Sequence, residues 1–288
     1  MKRRDFIKTT ALGVGAAWLG GGRGTSVLAR PTSKFSATDT VTIGKTGIQT
    51  SRLAMGTGTV GTGHHSHQTA LGLQGLADLL YRGYDHGLRF FDTADAYGSH
   101  PHVAEALKRL PREKVTILTK SWTRDAAGMR ADIDRFRKEL NTDYFDILLM
   151  HCLTDADWPE RCRGAMDVIS EAQEKGIVRA HGCSCHTIGA LRQAAKSPWV
   201  QVILSRVNPI GAHMDADPET VVATLREGKR NGKGIIGMKI LGQGAMSQRQ
   251  DEALKYALSL GVLDAFTIGA ENAGEQDDLL RRIAGVSV

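Results

Sequence analysis

Val115-Thr116-Ile117-Leu118-Thr119-Lys120, then Asp125–Leu140, then Phe145-Asp146-Ile147-Leu148-Leu149-Met150-His151: the reading of this stretch decides the fold. The outer two runs are short and almost continuously apolar, the mark of strands buried on both faces. Between them, Met129, Ile133, Phe136 and Leu140 recur at intervals of three to four residues with charges opposite, the stripe of an amphipathic helix. Strand, helix, strand in strict succession argues for parallel neighbours in one sheet.

The same alternation extends in both directions. Further strand candidates are Leu53–Gly56, Leu88–Asp92, Val178–Ser184, Val200–Val207, Gly234–Lys239 and Phe266–Gly269; further helical patterns are Glu160–Lys175 and Pro218–Gly232, the second behind Asp217 as N-cap. Strands each followed by a helix, in units of about 30 residues, predict a closed (β/α)8 TIM barrel. An open doubly wound sheet would want a glycine fingerprint leading straight into a helix. Gly56-Thr57-Gly58-Thr59-Val60-Gly61 has that spacing but runs into Thr62-Gly63-His64-His65-Ser66-His67 instead. Val41–Thr50, with Gly44-Lys45-Thr46-Gly47 at its centre, reads as a short N-terminal β-hairpin ahead of the barrel. The reading is one α/β domain over residues 31–288.

A chain of 288 residues with 41% hydrophobic and 24% charged side chains is neither disordered nor fibrous. Its net charge of +6 suggests a basic surface, but the first 30 residues hold six basic residues against the single acid Asp5. The remainder has 31 basic and 30 acidic residues, so no nucleic-acid partner is expected. Met1-Lys2-Arg3-Arg4-Asp5-Phe6-Ile7-Lys8, the weakly apolar Ala11–Gly22 and the small residues of Ser26-Val27-Leu28-Ala29 resemble a twin-arginine (Tat) signal peptide over residues 1–30. That resemblance implies the Tat export machinery as a partner, a periplasmic or otherwise exported protein, and no stable membrane span in the mature chain.

In a barrel of this kind, catalytic side chains gather where strands end at their carboxyl side. The second strand ends in Asp92 and runs into Thr93-Ala94-Asp95-Ala96-Tyr97-Gly98; the third ends in Lys120 and the fourth in His151. An acid, a phenol, an ammonium and an imidazole at three neighbouring strand ends make a proton-donating tyrosine. The ammonium favours phenolate and is expected to lower the tyrosine pKa, the carboxylate holds the ammonium, and the imidazole orients a carbonyl.

At these residues the chain resembles the aldo-keto reductase family, through Phe91-Asp92-Thr93-Ala94-Asp95-Ala96-Tyr97-Gly98, Leu118-Thr119-Lys120 and Leu148-Leu149-Met150-His151. The resemblance implies a metal-free barrel that reduces an aldehyde or ketone to an alcohol with NADP or NAD, with Tyr97 as general acid and Asp92, Lys120 and His151 around it. It also implies cofactor contacts from Gly56 and Thr57 after the first strand, from Asp92, and from Ser184 and Cys185 after the fifth. Met238, Lys239, Leu241 and Gly242 follow the seventh strand, and Gly269 and Asn272 follow the eighth. Cys185 stands where the family has asparagine, Leu204 where it has glutamine, and Met238 where it has an aromatic. Glu271 and Glu275 lie where the family gathers basic and hydroxyl groups around the 2′-phosphate, which leaves the choice between NADP and NAD open.

Two rival readings have sequence features behind them. His65-Ser66-His67 is an HxH that a metal-dependent hydrolase on the same barrel would use. The replaced nicotinamide contacts fit a nicotinamide-binding regulatory protein of slow turnover. Cys152, Cys162, Cys183 and Cys185 lack the repeated CxxC spacing of a cluster site and read as reduced thiols.

Overall fold

The computed structural model describes residues 34–287. The twin-arginine segment expected over residues 1–30 lies outside them. Strands β1 (Thr40–Thr42) and β2 (Gln49–Ser51) pair antiparallel as the hairpin. Eight parallel strands then close a barrel: β3 (Leu53–Gly56), β4 (Phe90–Asp92), β5 (Thr116–Ser121), β6 (Phe145–Leu153), β7 (Val178–Cys185), β8 (Val202–Arg206), β9 (Gly234–Met238) and β10 (Ala265–Ile268), with β10 returning to β3. Helices follow the strands: α1 (Gly72–Asp85), α2 (His100–Leu107), α3 (Ala126–Glu139), α4 (Trp158–Arg161), α5 (Arg163–Glu174), α6 (Ile188–Lys196), α7 (Pro218–Arg230), α8 (Gln250–Ser259) and α9 (Ala273–Gly285).

Local chemistry sets these boundaries. Asp125 caps α3 by accepting from the Gly128 amide at 2.9 Å, and Asp217 caps α7 through Thr220 with Pro218 in the first turn. The single helix expected over Glu160–Lys175 is instead two. Cys162 leaves helical geometry (φ −106°, ψ 13°) between α4, which is anchored by buried Trp158, and α5, which is seated by Ala165, Met166 and Ile169. Leu88 precedes β4 rather than opening it, because its amide closes the turn out of α1 onto the Gly83 carbonyl.

The strands are buried on both faces and their side chains alternate. One set, including Leu53, Phe91, Ile117, Leu148, Met150, Ile203 and Phe266, packs beneath the helices. The other, including Ala54, Phe90, Leu118, Ile147, Leu149, Val202, Leu204 and Ile236, fills the barrel together with Ile43 and Ile48 of the hairpin turn. The hairpin therefore plugs the barrel, each fully buried isoleucine contributing about 2 kcal/mol. It approaches so closely that a Cβ at Gly44 would stand 2.2 Å from the Gly234 amide nitrogen. Among the described residues no helix is long and apolar enough to cross a membrane.

Candidate active site

The period of two that fills the barrel also selects what reaches its mouth. Counting up from Phe90, Leu118, Leu149, Gly182, Leu204 and Ile236, the next inward positions are Asp92, Lys120, His151, Ser184, Arg206 and Met238. Asp92, Lys120 and His151 belong to adjacent strands β4, β5 and β6. Lys120 is completely buried; its ammonium donates to Asp92 Oδ1 at 2.5 Å, to the Thr93 carbonyl at 2.8 Å and to Tyr97 Oη at 3.5 Å. The Tyr97 and His151 rings meet edge to face, 5.7 Å between centroids. The structure thus gathers all four residues that the sequence proposes for proton transfer.

Their electrostatics favour a proton donor. Burial is the largest influence on Tyr97 and raises its pKa; Lys120 pulls it back only in part, and Asp92 adds to the rise. The lowering expected from the lysine alone is therefore overridden, and the phenol rests protonated. Burial works against the Lys120 ammonium, but Asp92 and Tyr97 outweigh it and hold lysine above its ordinary range. His151 is pushed well below 6.5, by burial first and then by Lys120, His186, Arg124 and Lys239. It is a neutral imidazole, and its Nδ1 is sealed without a partner. With its proton on Nε2, the ring can donate to a carbonyl oxygen there.

The glycine run after β3 has a role its spacing did not reveal. A Cβ at Gly58 would stand 2.3 Å from Tyr97 Cε2, and one at Gly61 would stand 2.3 Å from Cδ1. This loop is laid flat on the phenol ring, and only glycine permits the approach. Behind the ring, Arg135 of α3 donates to Asp95 at 2.7 Å, to Glu139 at 2.9 Å and to Asp132 at 2.8 Å. Asp132 in turn accepts from Ser121 and Thr123 at the end of β5. One guanidinium thus ties the turn carrying Tyr97 to the strand carrying Lys120. His100 extends the web, from Thr119 at 2.8 Å to Glu139 at 2.7 Å.

The cofactor candidates are more scattered. Gly56 and Gly269 close the β3–β10 seam: a Cβ on Gly56 would lie 2.9 Å from Thr267 Oγ1, and one on Gly269 would lie 2.6 Å from Gln68 Nε2. Thr57 is fully buried, its hydroxyl on the Asp92 carbonyl at 2.9 Å. Ser184 points inward and accepts from the Cys152 amide at 2.8 Å. Cys185 does not face the mouth. Its side chain turns out beneath the helices, fully buried with its sulfur 3.8 Å from that of Cys183, so its thiol offers no contact to a ligand in the barrel. Met238 is inward and half-buried, Lys239 has no carboxylate partner among the described residues, Leu241 packs partly into the outer core, and Gly242 is buried. Asn272 caps α9 by accepting from the Glu275 amide, and the Glu275 carboxylate accepts from the Glu271 amide and the Asn272 side-chain amide, both at 2.8 Å. Glu275 is thereby occupied, while Glu271 pairs with His67 at 2.7 Å.

A cleft of about 310 Å³ between α1 and the start of α9 is lined by Leu71, Leu79, Arg82, Glu271, Asn272 and Ala273. At the mouth itself, the inward Ser184 hydroxyl, the apolar Met238 and the Lys239 ammonium fit the polar and apolar parts of a nicotinamide cofactor. Of the first-loop histidines, His67 pairs with Glu271 at 2.7 Å, His64 lies 3.7 Å from Asp95, and His65 is exposed. Among the described residues the one metal-sized grouping is Asp95, His100 and Glu139, and Arg135 already occupies its carboxylates.

Two mouth residues escaped the sequence reading. Trp122, half exposed, leans on His151 with centroids 5.1 Å apart, and Arg206 pairs with the buried Asp215. The same count of every second residue finds both, Arg206 two residues past Leu204 and Trp122 two residues past Lys120.

Comparison with known proteins agrees with this geometry. The model of the Aldo/keto reductase family matches residues 52–260. The methylglyoxal reductase DkgA of Salmonella typhimurium is 28% identical over 134 residues, 44% of this chain and 46% of that protein. An NADH-specific methylglyoxal reductase of Escherichia coli is 26% identical, over 61% of this chain and 60% of that protein. These matches span about half to three fifths of the relatives' length. Among solved structures, an aldo-keto reductase from Bacillus halodurans superposes with a TM-score of 0.70 at 17% identity, covering 85% of this chain and 91% of that one. A Bombyx mori aldo-keto reductase in complex with NADP gives 0.61 at 18% identity, covering 85% of each chain. At these identities the structures speak for the fold.

Proposed function

The chain belongs to the aldo/keto reductase family, and on that premise we propose that it reduces an aldehyde or ketone to an alcohol with a reduced nicotinamide cofactor. The observation that carries the reading is the Lys120 ammonium held between Asp92 and Tyr97 beneath a neutral His151. A bound reduced nicotinamide supplies hydride to the carbonyl carbon. Tyr97 delivers its proton to the carbonyl oxygen, and the phenolate left behind lies beside Lys120, whose charge is most useful at that moment. Asp92 keeps the ammonium in place, and His151 Nε2–H holds the oxygen before and during transfer.

NADH suits the cleft better than NADPH. Glu271 lines it, and its one basic residue, Arg82, is held bidentately by Asp277 at 2.7 and 2.8 Å, leaving no unmatched cation there for a 2′-phosphate. The Arg3-Arg4 segment supports export through the twin-arginine route to the periplasm. The reading is tested by fluorescence titration of nucleotide-free protein with both cofactors, followed by turnover of simple aldehydes. NADH binding about tenfold tighter than NADPH is expected from a cleft lined by Glu271 and Asp78 with no unmatched cation for the 2′-phosphate. A folded protein that binds neither overturns the reductase reading.

A further inference from the structure

Arg124 lies just beyond β5, beside the reaction centre, and its charge is unmatched. Among the described residues it forms no ion pair: Asp155, the carboxylate whose charge reaches it, is held by Arg161 at 2.9 Å, and the adjacent Asp125 accepts from the Gly128 amide as the cap of α3. The guanidinium is half-buried and donates only to main-chain carbonyls, to His151 at 2.5 Å and more weakly to Cys152 at 3.5 Å and Thr123 at 3.4 Å. It sits 5.9 Å from the Trp122 ring, which packs on His151. Burial pulls its pKa below the ordinary arginine range, so its charge is poorly solvated. A desolvated cation with no counter-ion among the described residues is costly, and an arriving anion relieves that cost.

Resting on the reductase reading, we infer that the substrate is a carboxylate-bearing aldehyde or ketone. Its carboxylate pairs with Arg124 against the Trp122 face while its carbonyl meets Tyr97 and His151. Position favours this assignment over a role toward the cofactor. Trp122 and Arg124 follow β5 next to the proton donors, whereas Ser184 stands on β7, Met238 ends β9 and Lys239 follows it across the mouth. A planar guanidinium donates to a carboxylate through its N–H groups, and the half-exposed indole offers an apolar wall for the rest of the molecule.

The test compares 4-carboxybenzaldehyde with methyl 4-formylbenzoate, which share a ring and an aldehyde and differ in charge. The unmodified protein is expected to favour the acid about tenfold in kcat/KM, carried by KM, and added sodium chloride is expected to raise KM for the acid alone. Arg124→Gln brings the acid-to-ester ratio near one, whatever it does to ester turnover, and Arg124→Lys keeps part of the preference. A ratio that Arg124→Gln leaves unchanged overturns the proposal, as does a variant that weakens cofactor binding instead of acid binding. If Arg124→Gln fails to fold, the salt series on the unmodified protein decides: equal salt responses for acid and ester overturn the proposal. If neither aldehyde is reduced, the reductase reading fails separately. Quenching of tryptophan fluorescence by the acid then decides the subsite. Quenching in the unmodified protein that Arg124→Gln abolishes supports it, and equal quenching in both overturns it.

Discussion

The two halves of the barrel mouth are built differently. On β4–β6, function resides in long side chains locked by one another: Lys120 is sealed between Asp92 and Tyr97, and Arg135 fastens the elements that carry them. On β7–β10 the contacts are looser and more varied: Ser184 is tied to a backbone amide, Arg206 to Asp215, Met238 is half-buried, the Cys185 thiol is turned away, and Gly269 meets Gly56 of β3 at the seam. On the reductase reading, the first half carries the reaction and needs particular functional groups at fixed separations, while the second holds the cofactor and needs mainly shape, which many side chains can provide.

That contrast can be broken by substitution. Tyr97→Phe is expected to cut kcat about 1,000-fold while cofactor affinity stays within twofold, since the phenol is asked only for a proton; stopped-flow rates and a binding titration check both. Lys120→Met leaves Asp92 buried without its cation and is expected to cost about 3–5 kcal/mol in urea denaturation, with activity lost. Adding Asp92→Asn should restore much of that stability and none of the activity. Gly58→Ala forces the loop off the Tyr97 ring, and about a 10- to 100-fold loss in kcat is expected from the displaced phenol; rates equal to the unmodified protein would mean the loop's contact with the ring is incidental.

The second half should answer more weakly. His181 in β7 and His186 just after it are held neutral, with pKa values of about 4 against 6.5, by burial in both cases and for His186 also by Arg206 and Lys239. The unfolded chain therefore takes up protons first, so stability is fully present above 6.5 and falls as pH drops from 6.5 towards 4. Urea midpoints near pH 7.5 and pH 5 measure it. Smallest of all, Cys185→Ala should change cofactor affinity less than about twofold, because the thiol it removes never faces the mouth; a tenfold loss would place Cys185 in the binding surface after all.

The same contrast explains what the sequence discloses. The strand ends of β4–β6 are legible because Asp92, Lys120 and His151 interrupt apolar runs, and a charge ending a buried strand must have a partner. The glycines after β3 are visible as a pattern, but their purpose is not. A nucleotide loop and a cradle for Tyr97 share one spacing, and only the close approach of the ring separates them. Cys185 was misleading because a motif position says nothing about which way the side chain turns. In β7, the alternation that brings Ser184 inward sends Cys185 out. The break at Cys162 is equally silent, since both halves of that helix keep one apolar stripe.

The central claim is that hydride and proton meet at one carbonyl in this mouth, and isotope transfer tests it most directly. Purified protein is given nicotinamide cofactor deuterated at the transferable position of C4 together with an aldehyde, and the alcohol is weighed by mass spectrometry. The account predicts one deuterium on the former carbonyl carbon, with the yield collapsing in Tyr97→Phe. An alcohol without the label, or no alcohol from protein shown to bind the cofactor, would contradict it.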